Sequence, residues 1–498
     1  MGQIIKSKLS KNPPGLYIII YTQLWELFGR FGITALLVLY MTKTLHLSDQ
    51  IAFVTYSTFF ALTYLMPLLG GAIADKFLGF KKSILLGACI MSMGNLLIII
   101  PKLYMVYLGL SVVAIGSGLF TPTIAVMMGK LYQNCLEKRD KGFVLFYVGQ
   151  NIGILLAPLI CGFISERYGY NYAFIVSGLG MLSGFIVFAL GAKKLNYLEH
   201  KIADITCEQK NNIISSKFLQ KNIHFFSILS VLILIPVILL IFIKHIYGYA
   251  LLLGSVIAAI VVFKAIKKSS GQNRADIFFI IIVAIVGMIF YGVLCQGGTT
   301  LNLFIDRIVN RQIFGFTVPT TALFTLDPFF MLLLSALIIK IISCIYKPNY
   351  YAATLKKFIL GFLFFACGFL VFVFASASAY GGIKTSMLYI VFAYSIFPLA
   401  ELCIMPIALS AVTRLAPKHL SATMVGVYNF GLAAASFITA LISKRGSVDF
   451  PIDGQLAIVK AAHTYNHVFL LTVAILVLVA IAIYCLLATV YTTTRNLQ

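Results

Sequence analysis

The chain is written in long apolar blocks separated by short polar ones, and the apolar residues neither alternate nor fall into heptads. A membrane crossing needs about 20 mostly apolar residues, because the hydrocarbon core is about 30 Å thick and a helix rises about 1.5 Å per residue. By that measure about 14 blocks can cross. They run over residues 16–42, 51–74, 83–101, 104–129, 142–164, 172–192, 224–243, 248–266, 277–297, 326–346, 356–378, 387–410, 420–442 and 464–489. The crossings must be helices, since lipid satisfies no open backbone. The pattern predicts an all-α polytopic membrane protein.

Composition agrees. Of the 498 residues 61% are hydrophobic and only 11% charged, against roughly 25% charged in a soluble domain. The net charge of +23 would point to nucleic acid in a soluble protein. Here the basic residues sit in short loops between apolar blocks, so no nucleic-acid partner is expected and the positive-inside rule accounts for them. Lys76/Lys81/Lys82, Lys130/Lys138/Arg139/Lys141, Lys193/Lys194, Lys264/Lys267/Lys268, Lys356/Lys357 and Arg414/Lys418 fall on alternate loops. That face is read as cytoplasmic and, with an even number of spans, both termini lie there. The bias is not absolute, because Arg307, Arg311, Lys384, Lys444 and Arg445 lie on the opposite loops. The nine cysteines are scattered and form no CxxC pair, so neither a disulfide framework nor a metal site is indicated. The N-terminus does not read as a cleaved signal.

A polar stretch at 193–222 separates six blocks from the remaining eight. Two of those eight, around 224–243 and 248–266, lack internal charge over most of their length; removing them leaves six and six. The expected organisation is an N-terminal six-helix bundle (1–192), a cytoplasmic linker (193–222), an inserted transmembrane hairpin (223–270) and a C-terminal six-helix bundle (271–498). Two related halves around a central site are a common transporter plan.

Charge inside an apolar block is costly and marks function by default. Glu26 and Arg30 stand i,i+4 in the first block, with the acid on the N-terminal side as an intrahelical pair prefers; they neutralise each other or serve a substrate. Glu401 lies deep in the block FPLAELCIMPIAL with no charged neighbour within one turn. A carboxylate that burial can neutralise suits proton coupling. Asp327, just before Pro328, reads either as a second such group or as a helix N-cap. His463 and His467, at i,i+4 but without a third ligand, read as an interfacial pair. Pro67, Gly70, Gly71, Gly116, Gly118, Pro122, Pro158, Pro398 and Pro406 interrupt blocks and allow bending and close helix approach. No phosphate loop or nucleophile–base pair is visible, so an enzyme is not expected.

Four segments resemble one family. GGAIADKFLGFKK (Gly70 to Lys82) is similar to the loop motif of the major facilitator superfamily. RDKGFVLFYVGQNIG (Arg139 to Gly153) and AELCIMPIALSAVTRLAP (Ala400 to Pro417) resemble the fifth- and tenth-helix signatures of its proton-dependent oligopeptide transporters. QLWELFGRFGITALLVLYM (Gln23 to Met41) aligns with that family's first-helix motif. The resemblance implies the major facilitator fold, a monomer in a bacterial inner membrane, a small-molecule substrate, coupling to protons and no cofactor. It also implies gate roles for Asp75, Lys76, Lys81 and Lys82. Proton coupling falls to Glu26, Glu401 and Asp327. Substrate contact falls to Arg30, Tyr64, Asn151, Tyr291, Gln296, Tyr428, Thr121 and Cys295.

The departures are specific. The first-helix motif ExxER reads Gln23, Glu26 and Leu27 here. The fourth-helix lysine falls on Thr121 and the seventh-helix glutamate that pairs with it on Cys295. Losing both partners together avoids stranding a buried charge. Arg30 stands at a family tyrosine, Asp327 at a family asparagine, and Tyr291 and Tyr428 where tryptophans are usual. Arg30 follows Leu27 by three residues and so shares roughly its face; the first-helix cation is displaced by one turn. Proton-coupled uptake of di- or tripeptides, or of peptide-like amphoteric molecules, by alternating access is the leading expectation. A non-peptide anion such as a polycarboxylate or siderophore-like metabolite, carried by the same fold, is the second, and a receptor or scaffold without flux the third.

Overall fold

The computed structural model describes residues 13–74, 78–132, 136–195, 262–263, 266–267, 271–334, 350–416, 421–448 and 454–495. The expected linker and inserted hairpin lie almost entirely outside the described residues, as do Asp75 and Lys76. Every expected block that is described is helical. The first six are α1 (Leu16–Lys43), α2 (Asp49–Ile73), α3 (Phe80–Ile98), α4 (Leu103–Leu131), α5 (Leu136–Tyr168) and α6 (Tyr170–Gly191). Then come α7 (Gly271–Leu294) and α8 (Thr300–Ile308), the short apolar helix α9 (Thr320–Leu334), and α10 (Tyr350–Ser378), α11 (Leu388–Leu415), α12 (Ser421–Lys444) and α13 (Gln455–Arg495). Among the described residues ten helical segments are long and apolar enough to cross a membrane.

Two boundaries differ from the sequence expectation for physical reasons. The block expected at 277–297 does not end there. A 3-10 turn at Cys295–Gly298 interrupts it and α8 resumes at Thr300, with Gly297 and Gly298 marking the break. The last helix starts at Gln455 rather than near 464, because a helix does not stop where its apolar face stops. His463 is therefore helical, and its ring stacks on Tyr380 with centroids 3.9 Å apart.

By contact, the chain divides into two compact units. One comprises the described parts of Met1–Ile33, Met66–Ala157 and Asn171–Ile243; the other, those of Thr34–Leu65, Pro158–Tyr170 and Lys244–Gln498. In the first unit, glycines set the spacing. A Cβ on Gly94 would stand 2.7 Å from the Gly109 carbonyl oxygen, and one on Gly116 2.6 Å from the Gly87 carbonyl oxygen. Thus α3 and α4 cross with their backbones in contact, as small residues permit between membrane helices. The first helix is held likewise: Gly153 of α5 comes against the backbone of Leu24, and Gly180 of α6 against Trp25. Ser177 donates to the Gly29 carbonyl at 2.7 Å.

In the second unit the core is aromatic. Phe304, Phe365, Phe369, Phe372, Phe397, Tyr465 and Phe469 are all buried and interlock largely edge-to-face, as between Phe304 and Phe469 at 5.1 Å. Two very short strand pairs close the loops. β1 (Val309–Asn310) pairs in parallel with β4 (Thr385–Ser386). β2 (Gln312–Ile313) and β3 (Phe316–Thr317) form an antiparallel hairpin with Gln312 opposite Thr317 and Ile313 opposite Phe316.

Candidate functional site: two sets of buried charge

The first set lies on α1. Glu26 is fully buried and accepts from Arg30 Nε at 2.9 Å and from Gln23 Nε2 at 2.9 Å. The i,i+4 pair expected from the sequence is formed, and Gln23, standing where the family motif has a second carboxylate, donates instead of repelling. The Arg30 side chain is 18% exposed, so the paired cation keeps some access where the acid has none. Two further candidates belong to the same unit. Thr121 hydrogen-bonds with Ser117 one turn earlier at 3.3 Å. Asn151 is buried, and its amide nitrogen donates to the Tyr147 carbonyl of its own helix at 2.9 Å.

The second set gathers residues of α2, α7, α9, α11 and α12 in the other unit. The Asp327 and Glu401 carboxyl groups lie near one another, close enough to interact electrostatically. The reading of Asp327 as an N-cap is corrected: the chain is already helical from Thr320. Asp327 Oδ1, Glu401 Oε1 and the Tyr394 hydroxyl are buried and have no hydrogen-bond partner among the described residues. Beside them, the Tyr64 and Tyr291 hydroxyls meet at 2.6 Å, flanked by Phe60. Cys295 is buried, and the Thr439 hydroxyl donates to the Gly292 carbonyl at 2.8 Å. Gln296 is fully buried; its amide nitrogen donates to Thr472 at 3.3 Å and its Oε1 has no partner among the described residues. Tyr428 is also buried, its ring against Gly287. Of the four gate candidates, the two that are described are Lys81, which is buried, and Lys82, which is exposed.

A third cluster was not singled out by the sequence. Asp49, in the first turn of α2, is bound at both oxygens by Arg307 of α8 at 2.6 and 2.7 Å, and also accepts from the Val448 amide at 2.9 Å. Arg307 reaches the Tyr465 hydroxyl at 3.3 Å as well. Nearby in sequence, Asp306 accepts from Lys43 at 2.6 Å and Arg311 at 3.2 Å, and Arg311 pairs with Glu166 at 2.7 Å. The available signal was the placing of opposite charges at the ends of apolar blocks, which sequence alone leaves unpaired. A cavity of about 580 Å³ lined by Gln50, Ile442, Lys444, Arg445 and Leu471 contains none of the candidate residues; the site is defined by the buried charges.

Comparison with known proteins bears on what this arrangement serves. The sequence profile of the POT family matches residues 81–448. The peptide transporter YePEPT of Yersinia enterocolitica is 27% identical over 455 residues, covering 88% of this chain and 89% of that protein. Dipeptide and tripeptide permease B of Salmonella typhimurium is 27% identical over 97% of both. Among solved structures, a peptide transporter POT in complex with sulfate superposes with a TM-score of 0.78 at 25% identity, covering 95% of each chain. The tetrameric PepTSo2 superposes with a TM-score of 0.80 at 24% identity, covering 97% of this chain and 99% of that one.

Proposed function

From the premise that this chain belongs to the POT family, we propose a secondary active transporter that couples proton entry to uptake of di- and tripeptides or peptide-like amphoteric molecules by alternating access. It is an integral membrane protein of a family of transporters, not of enzymes. Relatives along nearly its whole length carry the names peptide transporter and dipeptide and tripeptide permease. The observation that carries the proton-coupled reading is the pair of buried carboxyl oxygens, Asp327 Oδ1 and Glu401 Oε1, that have no hydrogen-bond partner among the described residues. A carboxyl group there stays neutral while protonated, and releasing the proton creates a charge that the site must then re-solvate or pair. In this reading Glu401 and Asp327 hold the transported proton, Glu26 is a second proton site controlled by its ion pair, and Arg30 receives a substrate carboxylate. Tyr64, Tyr291, Asn151, Gln296, Tyr428, Thr121 and Cys295 line the substrate's path, and Asp75, Lys76, Lys81 and Lys82 act at a cytoplasmic gate. The architecture that goes with it is two six-helix bundles and an inserted hairpin, in a bacterial inner membrane, with both termini cytoplasmic and the chain acting as a monomer without a cofactor.

The test is uptake of labelled dipeptides into proteoliposomes under an inward proton gradient. Gradient-dependent accumulation is expected, and Glu401→Gln is expected to abolish accumulation while leaving exchange of labelled for unlabelled dipeptide measurable. Uptake by Glu401→Gln that still responds to the gradient would remove Glu401 from the coupling path. A second reading is favoured by one observation: Thr121 and Cys295, at the positions of the family's lysine and glutamate, carry no charge, while Arg30 remains. The cargo would then be a non-peptide anion. Adding polycarboxylates to the same uptake assay separates the two, since a peptide carrier keeps its dipeptide flux and an anion carrier shows none to inhibit.

A further inference from the structure

The connection between α8 and α9 holds an anomaly. The hairpin of β2 and β3 turns through two residues, Phe314 and Gly315, with φ of 48° and 80°. Both central positions of such a turn require positive φ, which favours asparagine, aspartate or glycine at the first. This chain places phenylalanine there, in a backbone conformation that bulky residues rarely adopt, and leaves it wholly exposed. Phe314 is 106% exposed, with Phe316 at 54% and Ile313 at 41% beside it. The tip therefore combines an unfavourable backbone with an unfavourable contact with water.

The tip is also held in place. Arg311 at its base donates to the Val318 carbonyl at 2.6 Å and to Glu166 of α5 at 2.7 Å, and the Val318 amide returns to the Arg311 carbonyl at 2.8 Å. Above all, the hairpin does not stand away from the helices. Phe316 stacks on Phe163 of α5, ring centroids 5.8 Å apart. Phe163 precedes the helix end at Tyr168 by about 7 Å, at about 1.5 Å per residue. Pro319 and Thr321 lie against Gly162 of the same helix, and Thr321 donates to the Pro158 carbonyl. The hairpin thus leans back along the last turns of a membrane-spanning segment, beginning four residues after another such segment ends at Ile308. Tyr168, 61% exposed, shares that helix end, and aromatic side chains collect at the headgroup level.

We propose that the hairpin Gln312–Thr317 is a membrane-interface anchor that lays Phe314, with Ile313 and Phe316, into the headgroup region of the bilayer, while the paired Arg311 fixes its base. The occupant of the exposed surface is lipid, because the surface is continuous with the spanning surface of α5 and the Arg311 charge at the base is already paired with Glu166 and Asp306.

The chain contains one tryptophan, Trp25, so the tip can be read by Phe314→Trp with the unaltered protein as background. Both are reconstituted in phosphatidylcholine nanodiscs, with the lipid brominated either near the glycerol or near the chain end. The added emission is expected to be blue-shifted, to be mostly lost with bromine near the glycerol, less so with bromine near the chain end, and to resist aqueous iodide. Loss to iodide with no effect of bromine places the tip in water and overturns the proposal. Emission that neither quencher reaches but that changes with the number of protein copies per disc assigns the surface to a second copy of the chain, and overturns it equally.

Discussion

At the scale of single residues, the sharpest consequence concerns Glu26. It is fully buried, and the cation beside it is the partly accessible Arg30. Removing one member of such a pair leaves the other charged in an apolar surrounding, at a cost of about 3–5 kcal/mol, whereas removing both costs far less. Arg30→Ala is therefore expected to lower the thermal midpoint of the detergent-solubilised protein clearly, and Glu26→Gln/Arg30→Gln to recover most of the loss. A double variant as unstable as the single one would mean that Arg30 acts through packing. The sequence made this pair legible because i,i+4 spacing fixes who can meet whom on one helix. It did not make the Asp327–Glu401 contact legible as a contact. Each carboxyl was visible as an oddity in an apolar block, but their meeting depends on how α9 packs against α11, and the N-cap alternative for Asp327 fell only when the chain proved helical from Thr320.

At the scale of elements, length and hydropathy carried the helices and failed at their interruptions. A block of about 20 apolar residues has only one stable form in lipid, so the helices were readable. The 3-10 turn at Cys295–Gly298 was not, since Gly297 and Gly298 within an apolar run fit close packing as well as a break. Close packing proper is seen between α3 and α4. With Gly94 Cβ placed 2.7 Å from the Gly109 carbonyl oxygen and from a Val113 methyl, Gly94→Val has no room unless the helices part. Overpacking of this kind costs about 1–3 kcal/mol, and the variant is expected to show a lower midpoint and a lower yield of monodisperse protein. Gly169→Val serves as a glycine control that has no atom within 4 Å of the added Cβ, although its φ of 101° adds backbone strain; the comparison therefore reads whether α3–α4 crowding exceeds that strain.

At the scale of the whole molecule, the cluster around Asp49 ties together α2, α8 and the residues after α12. Asp49 is 3% exposed and Arg307 19%, so this too is a pair in which a single loss is costly. Arg307→Ala is expected to destabilise the protein and reduce uptake together. The exchange Asp49→Arg/Arg307→Asp is expected to recover less than full stability, because the Val448 amide and the Tyr465 hydroxyl are set to serve the present polarity. Full recovery in a melting experiment would show that those two contacts contribute little.

The same cluster has a consequence for how the protein is made. Asp49 finds Arg307 258 residues later and the Val448 amide 399 residues later. A nascent chain that has inserted its first helices thus holds a carboxylate whose partners are still unsynthesised. Until Arg307 is made that charge must stay solvated, and the last of its contacts forms only once Val448 has been made. Biogenesis of this transporter therefore ends, rather than begins, at the start of its second helix.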